Sequence, residues 1–194
     1  MISAIILAAG QSKRMGQPKM LLPWGNETVL THVISVFQDA GMEDILVVTG
    51  GARAQVEEIV SNVSVRTIYN PDYTNGEMLL SLQCGLQAQT AQAEATLIAL
   101  GDQPQVPEGS VRRVCEAFIE MKSTLIVPSY QMRRGHPWLV ARPLWGELLE
   151  MNSPQSPRDF LNAHRAEIQY INMDDPNILA DLDTPDDYLK SRPQ

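Results

Sequence analysis

The 194-residue chain has no apolar run of membrane length: the stretch Ile5 to Ala9 ends at glycine and cations, far short of the roughly 18 residues a membrane helix needs. No basic segment precedes that stretch. A secretory signal is therefore not expected, and a cytoplasmic protein is. The sequence holds only two cysteines, Cys84 and Cys115, in no C-x-x-C pair and with no histidine at zinc spacing. Both are read as reduced and structural, and a zinc site is not expected. Basic residues are also scarce, 15 Lys and Arg against 23 Asp and Glu, for a formal net charge of -8. That balance argues against a general nucleic-acid binder, whose affinity for phosphate backbones rests on massed cations. Any polyanionic ligand must be small and held by a local cluster.

Composition is otherwise globular, with 44% apolar and 20% charged residues, and the length suits one domain, read as 1–194. Segments rich in Ile, Val and Leu predict strands at 3–9, 44–50, about 64–70, 95–102 and 124–130. Helical spacing predicts helices at 28–40, 53–60, 77–90 and 108–122. Strands alternating with helices imply βαβ units, hence an α/β fold with a mostly parallel open sheet and helices on both faces. The last forty residues are weakly periodic. Such sheets bind ligands beyond the carboxyl ends of their strands, which directs attention to two stretches, Gly10 to Lys19 and "GDQP" at 101–104.

The first stretch, "LAAGQSKRMGQPK" from Leu7 to Lys19, matches neither common phosphate loop. Five residues separate Gly10 from Gly16 and Gln17 follows, so the P-loop fails; Ser12 breaks the dinucleotide fingerprint. No G-x-S-x-G elbow occurs either. What remains is a small-residue backbone, Ala8 to Gly10, that can turn N–H groups toward an anion, flanked by Lys13, Arg14 and Lys19. Arg14 offers a planar fork for phosphate oxygens and Lys19 a compact charge.

The extended run "LAAGQSKRMGQPKMLLP" resembles the L-A-x-G-x-x-x-R-M-G-x-x-K signature of the nucleotidyltransferases that include the molybdenum cofactor cytidylyl- and guanylyltransferases. Three further elements resemble that family in order: "NGEMLLSLQCGL", "LIALGDQP" and "DLDTPDDY", with "RRGHP" similar to its acceptor-side turn. The resemblance implies a Rossmann-like nucleotide-diphospho-sugar transferase fold. It implies nucleotide binding by Leu7, Ala8, Ala9, Gly10, Arg14, Lys19, Gly76 and Ser81, and places Arg14, Lys19 and Asp102 at the chemistry. Mg²⁺ would be held by Asp102 and Asp183, with Asp181 in reserve, and the acceptor by Arg134, Gly135 and His136, with Arg133 beside them. Thr184, Pro185, Asp186 and Asp187 are also explained by helix capping. Met15, Met20 and Met78 are read as packing residues.

The reaction so implied joins a nucleoside monophosphate from a triphosphate to a phosphorylated acceptor and releases pyrophosphate. An anionic phosphate needs no general base, and none is evident. Guanylyl-transferring members tend to read L-A-G-G where cytidylyl-transferring members read A-A-G; Ala8-Ala9-Gly10 therefore points to CTP, and the overall resemblance to molybdopterin as acceptor. A sugar phosphate or another small phosphorylated acceptor stays open. So does a non-catalytic partner that carries cofactor to a molybdenum-dependent oxidoreductase.

Overall fold

The computed structural model describes residues 1–75 and 78–193. Its elements run β1 (Ile2–Ala8), a small hairpin of β2 (Pro23–Trp24) and β3 (Glu27–Thr28), α1 (Val29–Asp39), β4 (Ile45–Thr49), α2 (Arg53–Val60), β5 (Arg66–Tyr69), α3 (Met78–Gln87), β6 (Ala95–Leu100), α4 (Glu108–Met121), β7 (Leu125–Tyr130), β8 (Arg133–Arg134), β9 (Trp138–Ala141), α5 (Trp145–Glu150), α6 (Pro157–Ala163), β10 (Gln169–Asn172) and α7 (Pro185–Ser191). The main sheet has the order β10-β7-β9-β6-β1-β4-β5, with β8 paired to β7. β1 pairs in parallel with both β4 and β6, β4 with β5, and β10 with β7. β9 alone of the long strands runs antiparallel, between β6 and β7.

Burial explains why the central strands read as continuous apolar runs. Every residue of β4 is buried, as are all but one of β1, the pattern of a sheet covered on both faces. Along β1, Ala4, Ile6 and Ala8 face a core layer built with α1, α2 and α4, whereas Ile5, Leu7 and Ala9 face the layer built with α3, α5 and α6. The α1 stripe of Leu30, Val33, Ile34 and Phe37 is 0–3% exposed, each side chain contributing about 1.5–3 kcal/mol by leaving water.

A third, smaller apolar group positions the site. Met15 and Leu22 from the glycine-rich segment, Trp24, Val29, Leu182 and Tyr188 pack together, and the Tyr188 hydroxyl donates to the Pro23 carbonyl at 2.7 Å. The carboxyl-terminal segment is thereby anchored against the loop that follows β1. β1 is also where successive crossovers leave the sheet in opposite directions, to β4 on one side and β6 on the other, which opens a crevice at their carboxyl ends.

Candidate active site

The loop after β1 is held by its own backbone. Ser12 and Gly16 adopt left-handed conformations, with φ of 50° and 69°. The Ser12 hydroxyl accepts from the Lys19 N–H at 3.1 Å, and its carbonyl accepts from the Met15 N–H at 2.9 Å. Met15 and Met20 are buried on either side of this turn, which sends Lys19 back toward the sheet. β4 closes in from the side: a Cβ at Gly50 would stand 2.4 Å from the Ala9 carbonyl oxygen, so only glycine permits the approach. At Gly10 an added Cβ would meet no protein atom within 4 Å, leaving the backbone there open to a ligand.

Two further segments converge on that loop. The Gly101 N–H donates to the Leu7 carbonyl at 3.0 Å and the Leu182 N–H to the Asp102 carbonyl at 3.1 Å. These bonds set Asp102 beside the end of β1 and Asp183 beside Asp102. The Lys19 ammonium contacts Asp102 Oδ2 and lies 3.5 Å from Asp183 Oδ1, and Arg14 pairs with Asp183 Oδ2 at 2.8 Å. Lys19 and Asp102 are only 12% and 15% exposed, whereas Asp183 is 38% and Arg14 71% exposed. The inner pair is therefore desolvated and the outer pair free to rearrange. Behind them the buried Gln103 amide donates to Asp181 Oδ1 at 2.6 Å. Burial, then the charges of Asp102 and Asp183, push the Asp181 carboxyl above its ordinary value.

Leu7, Ala9, Gly10, Arg14, Lys19, Ser81, Asp102 and Asp183 line one cavity of about 560 Å³. Ala8 does not: its methyl turns into the opposite core layer, as strand alternation requires. Gly76 lies outside the described residues. Arg134, Gly135 and His136 line a second cavity of about 910 Å³, which adjoins the first at Met78. Arg133, Arg158 and Arg165 join Arg134 there, a concentration of positive charge in a chain of net charge -8. Arg134 is steadied by the Tyr170 hydroxyl at 2.9 Å and Asn162 Oδ1 at 2.8 Å. Gly135 lies against the turn at Pro176–Leu179, where a Cβ would come 2.6 Å from the Ile178 carbonyl oxygen. Burial pushes the His136 imidazole down to about 4, so it is neutral at pH 7.

The sequence alone does not single out Tyr73, which lines the first cavity, Asn70, which donates to the Ser81 hydroxyl beside it, or Arg158 and Arg165. Asn70 directly follows β5, a post-strand position like those of the other two loops; Arg158 lies in the first turn of the short helix α6 and Arg165 just beyond its end, a stretch with little periodicity. Among the described residues no group of three or more His, Cys, Asp or Glu is arranged to hold a metal. The pair Asp102 and Asp183, opening on a cavity with room for water and phosphate, is still a fitting donor set for Mg²⁺, which takes one or two carboxylates and completes its shell from substrate and solvent.

Residues 4–168 match the MobA-like NTP transferase domain. The chain is 31% identical over 193 residues to the molybdenum cofactor cytidylyltransferase of Escherichia coli (strain K12), covering 98% of this chain and 95% of that one. It is 27% identical over 192 residues to the nicotine blue oxidoreductase of Paenarthrobacter nicotinovorans, covering 94% and 92%. Among solved structures, Rv0371c of Mycobacterium tuberculosis H37Rv in complex with manganese superposes with a TM-score of 0.82 at 28% identity, over 97% of this chain and 96% of that one.

Proposed function

The chain belongs to the MobA-like NTP transferase family, and from that premise we propose that this nucleotidyltransferase moves the cytidylyl group of CTP onto the phosphate of molybdopterin, with Mg²⁺ as its metal. The observation that carries the reading is the convergence of Lys19, Asp102 and Asp183 on the lining of the cavity after β1. A terminal phosphate oxygen of the acceptor forms a bond to the α-phosphorus; the bond from that phosphorus to the bridging oxygen breaks, and pyrophosphate leaves with its electron pair. No proton need be removed from the nucleophile, which is anionic near neutral pH. The protein's task is to hold two anions in line and to offset the charge of the transferring group.

Lys19 and Arg14 hold the triphosphate, with backbone N–H groups around Gly10. The Arg14 pair with Asp183 is exposed and worth at most about 1 kcal/mol, so the guanidinium can turn to phosphate at little cost. Asp102 and Asp183 hold the metal, which when bound offsets phosphate charge. The arginines of the second cavity hold the acceptor, and the neutral His136 serves there as a hydrogen-bond partner rather than a cation. CTP is favoured by the Ala9 methyl on the cavity wall and by the named activity of the Escherichia coli relative.

Pyrophosphate release tests this directly. Purified protein with Mg²⁺ is offered CTP, GTP, ATP and UTP, each with molybdopterin or a panel of sugar phosphates. Release with CTP and molybdopterin alone is expected. Release with a sugar phosphate replaces the acceptor, and silence with every pair, accompanied by cofactor binding that Asp102→Ala leaves unchanged, replaces the transferase with a carrier.

A further inference from the structure

The lining of the first cavity combines two chemistries: the cations Lys13, Arg14 and Lys19 suit phosphates, and the apolar Leu7, Ala9, Leu100 and Met78 suit a base. Ser81, on the first turn of α3, lines the same cavity. A hydroxyl can donate or accept, and which it does decides which base edge it reads.

Asn70 settles the matter. It is 2% exposed, and its Oδ1 accepts from the Asp72 N–H at 2.9 Å. That bond fixes the orientation of the amide, because the NH₂ group cannot take its place opposite a backbone N–H. The Nδ2 group accordingly faces Ser81 and donates to its Oγ at 3.0 Å. One acceptor position of the hydroxyl oxygen is thereby filled, and its own proton has no other partner among the described residues. It is left to donate into the cavity.

Resting on the nucleotidyltransferase reading above, we propose that Asn70 is a positioning residue that fixes the Ser81 hydroxyl as a hydrogen-bond donor to an acceptor atom of the nucleobase, O2 or N3 of cytosine in CTP. Asn70 itself touches no base. Its effect passes through one oxygen atom, and a carboxylate at position 70 would reverse it. The side chain introduced by Asn70→Asp would still accept from the Asp72 N–H, but would take the Ser81 proton instead of donating to its oxygen, turning the hydroxyl away from the ligand.

The experiment is CTP binding by calorimetry with Mg²⁺ present, followed by steady-state kinetics, on the intact protein and the variants Ser81→Ala, Asn70→Asp and both together. Loss of one neutral hydrogen bond weakens binding by roughly 5–10-fold. Ser81→Ala and Asn70→Asp are each expected to raise the dissociation constant and KM by about that factor while kcat stays within about twofold, the pattern of lost uniform binding. In the Ser81→Ala background, Asn70→Asp is expected to add less than about twofold, since its route to the base is gone. A merely structural asparagine would instead act equally in both backgrounds, and that result, or CTP binding unchanged by Ser81→Ala, would overturn the proposal while leaving the transferase reading in place. Absence of binding by the unaltered protein for every nucleoside triphosphate would remove both. Ser81→Ala keeps Asn70 and its bond from the Asp72 N–H, removing only the acceptor of its Nδ2 group, so a folding defect in Asn70→Asp still leaves the Ser81 contact testable.

Discussion

Lys19 and Asp102 form the most enclosed charge pair of the site, and their burial sets what substitution does. Asp102→Asn keeps the volume and an oxygen for Lys19 but removes the charge, so the fold should survive and turnover should fall by at least about 100-fold, a loss typical for a preorganised electrostatic group. Lys19→Ala is harsher, because it leaves the Asp102 carboxylate without its cation beside Asp183, which keeps only the exposed Arg14. Removing one partner of an enclosed pair costs about 3–5 kcal/mol, and thermal denaturation should show it. Arg14→Ala, at a position 71% exposed, should leave the melting temperature within a degree or so and raise KM for the triphosphate. If Asp102→Asn retained full turnover, the assignment of that carboxylate would be wrong.

Among the elements, α7 matters more than its seven residues suggest, because its start fixes Asp183. The Thr184 hydroxyl accepts from the Asp187 N–H at 3.2 Å while Asp187 Oδ2 accepts from the Thr184 N–H at 2.8 Å, a reciprocal cap. Thr184→Ala should cost about 1 kcal/mol, or about 2–4 °C in melting temperature, and should weaken metal-dependent activity by loosening Asp183. The Thr184 hydroxyl and N–H hold the Asp187 carboxyl below its ordinary value. Its contribution to stability is thus full above the unfolded carboxylate range, near 3.9, and is lost as pH falls through the folded value. An acid melting series should find the Thr184→Ala deficit shrinking below about pH 4; a deficit constant with pH would contradict the cap. This start was legible in "DTPDDY", where Thr, Pro and Asp each stand where a helix favours them. β1, β4 and β6 were legible because both their faces are buried. β10 was not, since only Ile171 of its four residues is buried. The place of β9 was hidden too: "WLVA" is buried throughout, but an apolar run of four does not say between which strands it inserts.

Across the whole molecule, the fold joins two cavities that the sequence presents as remote fragments. Asp102 and Asp183 stand 81 positions apart, and only the family resemblance linked them; that Lys19 lies between them follows from the turn at Ser12 and the burial of Met15 and Met20, which no local pattern announces. The arginines of the second cavity come from three separate segments, so their clustering emerges only when β8 and α6 meet. Adjoining at Met78, the cavities give a triphosphate and a phosphorylated acceptor a common boundary. The most direct test of that arrangement is a crystal structure with a non-hydrolysable CTP analogue and Mn²⁺ in place of Mg²⁺, located by its anomalous signal. The account predicts manganese bound by Asp102 and Asp183, with the triphosphate against Lys19 and Gly10 and the base beside Ser81. Manganese and triphosphate bound away from these residues would contradict it.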